Sequence, residues 1–374
     1  MNRNKTILKL AIIGANESIT MLINKAKCLG YETHVFAWAC GDPGEKVADF
    51  FYPISISDKE AILEKCKEIG VCGVCSITSD FAAPIVAYVA RNLNLPGNPE
   101  ITDIVARNKY EMRKAFREYG GIYCPSFVEA CDSQPIDGLK NLSYPVIVKP
   151  TDRWSSKGVT RVDSLDDLSP AIQIACKESL NGKAIIEGFM DGPEYSAECI
   201  VYHSKVNILA YTQKITTGFP HYIEKGHKQP SDLTDVQKTI VSRVIERAIK
   251  ALGITDSAAH VEFRVLDNNE IGIIEIGARM GGDCIGTDLT PISTGMDYIK
   301  MVIDVACGNE PDFSVESEPK SVQINYIISE DDIQYYKTIE NDRIVRKSVF
   351  NSDFDVQVTD SSNRHGYYIY IPCI

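Results

Sequence analysis

The first hundred residues alternate between short apolar runs and longer segments whose apolar positions recur every three or four residues. The apolar runs predict strands at residues 10–13, 33–38 and 71–77. The helically spaced segments predict helices at residues 18–29, 58–69 and 82–92. Strands that alternate with helices form parallel sheets covered by helices. We therefore predict an open parallel α/β domain at residues 1–98, which ends at the Pro- and Gly-rich sequence 95–99.

The rest of the chain mixes helical and strand patterns. Asn108 and Glu111 have capping-box spacing, which predicts a helix that begins there and is closed by Gly120 and Gly121. Strand patterns at residues 144–149 and 158–162 flank a turn-like segment, and a helix at 166–180 and strands at 184–187 and 195–202 follow. The tail alternates apolar and polar positions at 322–328 and 366–371. We predict an α+β arrangement in three parts: a central region at residues 99–184, a second region at 185–320 and a small β-rich part at 321–374.

The most informative pattern lies at residues 260–276, where two strand-like segments flank a polar turn. A turn centred between Asn268 and Asn269 makes this segment a β-hairpin. Glu262 and Glu275 stand at equal distances before and after that turn. We therefore expect the two glutamates to lie directly opposite each other on one face of the sheet.

Two opposed carboxylates need a neutralising partner, because like charges destabilise a strand pair. A hard divalent cation bound by carboxylate oxygens would supply it, and magnesium that bridges substrate phosphates commonly takes one or two protein carboxylates. The alternative is a solvated hairpin edge at which Arg264 or Arg279 screens both glutamates.

A glycine-rich loop follows the hairpin at residues 277–283. Its glycines let backbone amides approach an anion closely, and Arg279 adds a planar cation suited to a phosphate or carboxylate. This combination favours a site for a transferring phosphoryl group. The alternative is a flexible loop with a surface arginine.

Three further segments are candidates for binding a nucleotide. The segment 152–158 offers two serines, a lysine and a glycine to phosphate oxygens, although it lacks the P-loop pattern. Lys149 ends an apolar strand and Lys109 lies in a predicted helix, so each is either a phosphate ligand or a solvated lysine. Glu187 and Glu194 flank a turn whose exposed backbone amides and apolar residues could hold a flat base; the alternative is an acidic loop.

Composition narrows the classes of partner. The net charge of −12 disfavours nucleic acids and anionic membranes, which require basic patches, but it does not exclude one nucleotide. No apolar segment approaches the roughly 18 residues that span a bilayer, and no signal peptide is evident, so we expect a cytoplasmic protein. The 12 cysteines lack the spacing of a disulfide framework. Cys72 and Cys75 lie in a predicted strand without further metal ligands nearby, and Gly14 lacks the other glycines of a dinucleotide site.

Taken in order, these motifs resemble the ATP-grasp superfamily, within it the branch of biotin carboxylase, the carbamoyl-phosphate synthetase large chain and the L-amino acid ligases. The resemblance covers residues 8–310. It rests on the order of the α/β domain, the helix with Lys109, the strand VIVKP, the loop SSKG, the spacing of Glu187 and Glu194, and the two-glutamate hairpin. The implied fold is the ATP-grasp fold.

The resemblance also implies roles for particular residues. The implied ATP-binding residues are Lys109, Lys149, Ser155, Ser156, Lys157, Gly158, Glu187, Gly188, Phe189, Met190 and Glu194. In this set the segment 155–158 is a phosphate lid, 187–190 is the adenine hinge and Glu194 binds the ribose. Glu262 and Glu275 are the implied magnesium ligands, with Mn²⁺ as an alternative metal. Arg279 and Lys157 are the implied catalytic residues, and Gly281, Gly282 and His227 are the implied substrate-binding residues, with a surface position as the alternative for His227.

The function implied is ATP-dependent coupling of a carboxylate to an amine through an acyl phosphate, with amino acids as the expected substrates. Many superfamily members carry an asparagine two residues after the second metal glutamate, where this chain has Gly277. The pattern Glu-x-x-Ala-Arg ending at Arg279 favours the amino acid ligases. The alternatives are a carboxylase that uses bicarbonate and a nucleotide-binding protein without catalysis. We expect neither a nucleic-acid nor a membrane partner, and a homodimer stays open.

Overall fold

The computed structural model describes residues 7–132, 142–154, 156–219, 222–348, 350–351, 354 and 358–373. The N-terminal strands are β1 (Lys9–Ile13), β2 (Glu32–Phe36), β3 (Phe50–Tyr52) and β4 (Gly73–Cys75). The helices around them are α1 (Glu17–Cys28), α2 (Pro43–Val47), α3 (Lys59–Ile69) and α4 (Ala83–Asn92). The strands form a parallel sheet in the order β3-β2-β1-β4, which confirms the predicted open α/β layer. The prediction missed β3 and α2, which are too short to give a periodic signal.

A second, antiparallel sheet follows. Its strands are β5 (Phe127–Cys131), β6 (Val146–Pro150), β7 (Thr160–Val162) and β8 (Lys183–Gly188). The helices of this region are α5 (Glu100–Val105), α6 (Lys109–Tyr119) and α7 (Leu168–Glu178). The strand order is β5-β8-β6-β7, and the pairing of β6 with β7 confirms the predicted hairpin. The Asn108 side chain accepts hydrogen bonds from the amides of Tyr110 and Glu111, so α6 begins where the sequence predicted.

The third sheet is the largest in the described part of the chain, and its pairings are antiparallel. Its strands are β9 (Glu194–Tyr202), β10 (Lys205–Thr216), β11 (Glu224–Gln229), β12 (Ser257–Val265), β13 (Ile271–Gly277), β14 (Val322–Ile327), β15 (Ile344–Lys347) and β16 (Gly366–Tyr370). The helices are α8 (Asp235–Ala251), α9 (Thr290–Thr294), α10 (Tyr298–Ala306) and α11 (Glu330–Lys337). The strand order is β13-β12-β9-β10-β11-β14-β16-β15.

Two features of this arrangement differ from the sequence-based division. The sequence placed a boundary at residue 184, but β8 pairs with β5 and β6, so the chain passes from the small to the large sheet at residues 189–193. The predicted C-terminal strands form, but β14 pairs with β11 and therefore continues the large sheet. Pairings between distant segments decide both features, and a periodic pattern does not encode them.

A shared apolar core fixes the N-terminal domain to the large sheet. Helix α10 buries Tyr298 and Ile303 completely, and the same cluster contains Ile23 of α1 and Ile200 of β9. On the other side, α8 packs against the large sheet through residues that include Ile245. Among the helices of the described ranges, none is both long and apolar enough to cross a membrane.

Candidate active site

A cavity of about 450 Å³ is lined by residues from both antiparallel sheets and from the segment that follows β4. This volume lies in the usual range for small-molecule sites. Most of the predicted site residues line it: Lys109, Lys149, Ser156, Lys157, Glu187, Gly188, Phe189, Met190, Glu194, His227, Glu262, Glu275, Arg279 and Gly282. Gly158 and Gly281 are not among the residues that line the cavity, and Ser155 lies outside the described residues.

The hairpin places Glu262 of β12 directly opposite Glu275 of β13, as predicted. The predicted turn was nevertheless wrong, because the observed pairing centres the tip on Asn268 rather than between Asn268 and Asn269. A β-bulge beside Glu262 shifts the register by one residue and restores the predicted pair. The error at the tip and the unpredicted bulge therefore cancel at the two glutamates.

Cationic side chains balance both glutamates. Lys109 Nζ lies 3.0 Å from Glu275 Oε2, and Lys214 Nζ lies 3.0 Å from Glu262 Oε2. The His260 ring adds Nε2 at 3.2 Å from Glu262 Oε1. Burial opposes ionisation of Glu262, but Lys214 and His260 hold its pKa well below the usual range. Amines and an imidazole therefore contact the two opposed side chains, and Lys109 and Lys214 reach them at the ends of long flexible side chains.

The two arginines considered as screens for the glutamates contact other carboxylates. Arg264 donates to Glu194 Oε2 at 2.9 Å, and Arg279 binds Asp80 through two hydrogen bonds of 2.9 and 2.7 Å. Burial lowers the pKa of Arg279, but Asp80 raises it above its ordinary value. Neither arginine forms an ion pair with Glu262 or Glu275 in the described structure, although Glu275 also raises the pKa of Arg279 through its charge.

The Arg279–Asp80 pair also explains Gly277. A Cβ at position 277 would lie 3.0 Å from Asp80 Oδ1 and 3.1 Å from two guanidinium atoms of Arg279. Asp80 follows β4, at the carboxyl end of the parallel sheet, which is where open α/β sheets hold ligands. A side chain at residue 277 would require this ion pair to shift by a few tenths of an ångström, so Gly277 lets Arg279 and Asp80 pack closely against the backbone.

A second buried ion cluster surrounds Glu187. Lys149 Nζ lies 2.6 Å from Glu187 Oε1, and Arg113 Nε donates to Glu187 Oε2 at 2.7 Å. Burial would raise the pKa of Glu187, yet Arg113 and Lys149 lower it to about 2. Arg113 also donates to the carbonyl oxygen of Ile274, beside Glu275, at 2.9 Å. The side chain of Glu187 is therefore an anchor for Lys149, and any contact with a base falls to the other residues of the predicted hinge.

The predicted hinge at residues 187–190 is only partly available for a ligand. The Gly188 amide donates to the Ser126 carbonyl and the Phe189 amide donates to the Pro145 carbonyl, each at 3.0 Å. The expectation of exposed amides is wrong for these two residues. The Phe189 ring and the Met190 side chain still line the cavity, so the apolar part of the expected base-binding surface is in place.

Glu194, the expected ribose ligand, shares Lys214 with the glutamate pair. Lys214 Nζ lies 2.8 Å from Glu194, 3.0 Å from Glu262 and 3.6 Å from Glu224. Burial would lower the pKa of Lys214, but these three carboxylates raise it well above the ordinary value. Lys214 is therefore a charged amine that contacts both Glu194, the expected ribose ligand, and Glu262, the expected metal ligand.

The predicted phosphate lid connects β6 to β7. Ser156 and Gly158 both have positive φ angles, 58° and 68°, so the loop turns sharply at Lys157, whose side chain lines the cavity. Lys109 Nζ donates to the Arg153 carbonyl at 2.5 Å and thereby ties the loop to the start of α6. Lys157 on the lid and Lys109 at the start of α6 thus line the same cavity.

The predicted substrate-binding residues have different environments. The Gly281 amide already donates to Glu198 Oε2 at 2.9 Å, so the expectation that it is free for a substrate carboxylate is wrong. No heavy atom lies within 4 Å of a Cβ built at Gly282, and this residue faces the cavity. His227 is 1% exposed, so its alternative as a surface histidine is wrong. Its Nε2 lies 3.7 Å from Asp283, and neither ring nitrogen has a hydrogen-bond partner in the described structure.

Sequence reasoning missed four charged residues that organise the cavity: Lys214, Asp80, Glu198 and Arg113. Glu198 lies within strand β9, where burial of both faces hid it, and Lys214 lies near the end of strand β10 on its buried face. A charged residue inside a long predicted strand could have indicated them, because a charged group is rarely buried without a partner of opposite charge.

Residues 142–288 match the family described as an ATP-grasp domain. Together with the two-sheet cavity, this match confirms the resemblance seen in the motifs at the level of the fold: residues 142–288 are an ATP-grasp domain. The L-amino acid ligase from Bacillus licheniformis has the same fold, with a TM-score of 0.78 and 26% identity, over 97% of this chain and 93% of that protein. Phosphoribosylglycinamide synthetase from Anaerococcus prevotii has a TM-score of 0.76 and 25% identity, over 97% and 93% of the two chains.

The curated sequence relatives include two amino acid ligases. Alanine–anticapsin ligase from Bacillus subtilis is 26% identical over 321 residues, which cover 74% of this chain and 66% of the relative. The matched region is therefore slightly less than two thirds of that relative. D-alanine–D-alanine ligase from Flavobacterium johnsoniae is 26% identical over 277 residues, which cover 70% of this chain and 82% of the relative.

Proposed function

We propose that this chain is an ATP-dependent carboxylate–amine ligase that forms an amide bond between amino acid substrates through an acyl phosphate. The observation that carries the proposal is the pair of glutamates, Glu262 and Glu275, which face each other in a cavity that also receives Lys109, Lys157 and Arg279. Opposed carboxylates surrounded by several cations suit a substrate that brings both a metal ion and phosphate groups.

The donor atoms fit magnesium, with manganese as an alternative. Glu262 and Glu275 offer hard carboxylate oxygens, and Lys214 and Lys109, which now balance them, have the length to turn to phosphate oxygens. The described residues contain no group of three or more His, Cys, Asp or Glu side chains arranged to hold a metal, so phosphates and water would provide the remaining ligands. When bound, the metal ion neutralises charge on the phosphoryl group that is transferred.

Different residues of the cavity would then bind different parts of the ATP molecule. Lys149, fixed by Glu187, and Lys157 on the lid face the same space and would hold the phosphate chain. Phe189 and Met190 would contact the adenine ring, and Glu194 the ribose. Binding all groups in one cavity replaces a slow encounter in solution with a reaction between neighbours.

The chemistry proceeds in two substitutions. The substrate carboxylate attacks the γ-phosphorus of ATP, the bond to the bridging oxygen of ADP breaks, and an acyl phosphate forms. The amine then attacks the acyl carbon, loses a proton and releases phosphate. Arg279, which Asp80 holds at the edge of the cavity, would stabilise negative charge in both steps. The relatives support an amino acid as the carboxylate, because those similar in fold and sequence include an L-amino acid ligase and alanine–anticapsin ligase.

The test is ATP-dependent release of phosphate from the purified chain with pooled amino acids, followed by mass spectrometry of the products. We expect phosphate release that requires Mg²⁺ and amino acids, together with masses equal to two amino acids minus water. Release with bicarbonate alone would overturn the ligase in favour of a carboxylase. Nucleotide binding without turnover on any of these substrates would overturn catalysis itself.

A further inference from the structure

A carboxylate and an imidazole lie buried beneath the glutamate pair. Glu198 of β9 is fully buried and His260 of β12 is 5% exposed. The two residues are direct partners across adjacent strands, and His260 Nδ1 lies 2.5 Å from Glu198 Oε1. The other ring nitrogen, Nε2, lies 3.2 Å from Glu262 Oε1. One imidazole therefore joins a buried carboxylate to the carboxylate expected to bind the metal.

Glu198 also holds the glycine-rich loop. Its second oxygen, Oε2, accepts a hydrogen bond from the Gly281 amide at 2.9 Å. A Cβ built at Gly281 would collide with Glu198 Oε1 and would lie 2.7 Å from His260 Nδ1. The absence of a side chain at Gly281 is therefore what lets the loop backbone reach Glu198. Through one carboxylate, the strand that carries Glu262 and the loop that carries Arg279 share a single anchor.

We propose that His260 and Glu198 are positioning residues, which fix the carboxylate of Glu262 for the metal ion and hold the glycine-rich loop at a set distance from it. The proposal rests on the proposed function, since it assigns a role to the residues behind the same site. His260 lines the cavity and Glu198 lies behind it, and the contacts that carry the proposal are those with Glu262 and with the Gly281 amide.

Stability alone is a weak reason for this arrangement. Buried ion pairs can often be replaced by apolar residues without loss of stability, because removing two charged groups from water costs about as much as their attraction returns. Partners behind metal ligands, in contrast, set the orientation of the ligand, and their removal typically lowers metal affinity or activity about 10- to 100-fold. His260 occupies such a place, with one ring nitrogen on the ligand and the other on a fixed carboxylate.

The experiment compares His260→Gln, Glu198→Gln and the wild-type chain by electron paramagnetic resonance of Mn²⁺ titrated in the presence of ADP. We expect His260→Gln to weaken Mn²⁺ binding about 10-fold or more, because Glu262 loses its fixed orientation. Glu198→Gln keeps nearly the same shape and an acceptor for the Gly281 amide. It therefore tests the contact between Glu198 and His260 even if His260→Gln does not fold. We expect its Mn²⁺ affinity to fall as well.

Thr102→Val is the matched control, because Thr102 is also buried and donates a hydrogen bond to the Leu252 carbonyl at 2.9 Å, outside the active-site cavity. It should lower the melting temperature without changing the affinity for Mn²⁺. If both site variants lose thermal stability but keep wild-type Mn²⁺ affinity and the wild-type KM for ATP, the two residues are only structural and the proposal is overturned. If the wild-type chain itself binds no Mn²⁺ with ADP, the proposed function is overturned. This outcome differs from wild-type affinity in both variants, which overturns only the positioning role.

Discussion

At the scale of single residues, the cavity depends on pairs of charges that come from different strands and helices. Lys109 reaches Glu275 from the start of a helix, and Lys214 reaches Glu262 from a neighbouring strand. Each pair holds opposite charges together in the cavity before any ligand enters. The lysines therefore need only turn from a carboxylate to a phosphate oxygen when a nucleotide and its metal ion bind.

Replacement of Glu275 by alanine tests the glutamate pair. We expect Glu275→Ala to lower ATP-dependent phosphate release by about 100-fold or more, because several kcal/mol of charge stabilisation correspond to that factor. Circular dichroism should stay unchanged, since Glu275 is partly exposed at the cavity wall. Glu270→Ala, at the exposed tip of the same hairpin, is the matched control and should release phosphate at the wild-type rate. Near-normal turnover of Glu275→Ala would contradict the metal assignment.

The ion cluster around Glu187 should make stability depend on pH. Its folded-state pKa of about 2 lies below an unfolded value of about 4.3, so the stabilisation is complete above pH 4.3 and is lost as the pH falls toward 2. We expect the difference in unfolding free energy between wild type and Glu187→Gln to shrink over that interval. Urea unfolding of both proteins at several pH values between 5 and 2.5 measures it. A difference independent of pH would mean that Glu187 is not ionised in this cluster.

At the scale of strands and helices, a bulge in the β12–β13 hairpin lies between the turn at its tip and the two glutamates. Asn269 at the tip has a φ of 60°, which a β-branched residue adopts only under strain, whereas the bulge beside Glu262 fixes the register further down. We expect Asn269→Val to cost about 1 kcal/mol of stability and to leave the turnover number unchanged. Asn269→Gly should cost little. Thermal unfolding and phosphate release check both variants, and a loss of turnover in Asn269→Val would show that the bulge does not isolate the tip.

The sequence predicts local elements well and their long-range pairing poorly. The alternating pattern of the first hundred residues and the cap at Asn108 were sufficient for the parallel layer and for α6, because both depend on neighbours in the chain. The bulge beside Glu262 and the transfer of the chain between sheets at residues 189–193 depend on distant strands. The partners of Arg279 and Lys149 were hidden for the same reason, since Asp80 and Glu187 approach them only in the folded protein.

At the scale of the whole molecule, one arginine connects three distant segments. Arg346 of β15 donates to both oxygens of Asp288 at 3.1 and 3.0 Å, and to Glu17 at the start of α1 at 2.6 Å. Asp288 is 9% exposed and follows the glycine-rich loop, whereas the Glu17 side chain is 75% exposed. The arginine therefore helps to fix the C-terminal strands and the N-terminal domain around the cavity.

Removal of this arginine should cost more than an ordinary surface change. We expect Arg346→Met to lower the unfolding free energy by about 3 kcal/mol, because it leaves the Asp288 carboxylate buried without its partner. Arg346→Met combined with Asp288→Asn should recover part of that loss, and Glu17→Gln alone should cost less than about 1 kcal/mol because the pair is exposed. Urea unfolding measures all three variants. Equal stability of Arg346→Met and wild type would show that the contacts of Arg346 with Asp288 and Glu17 do not stabilise the fold.

The pairing of β14 with β11 has a consequence for handling the protein. Strand β11 carries His227 in the cavity wall, and β14 satisfies its backbone groups over Gly226–Gln229. Removal of residues 321–374 would turn β11 into an open edge, with a row of unsatisfied amides and carbonyls available to any other extended chain. A truncated chain should therefore self-associate through the wall of its own cavity, so that its loss of solubility and its loss of ligand binding would have one common cause.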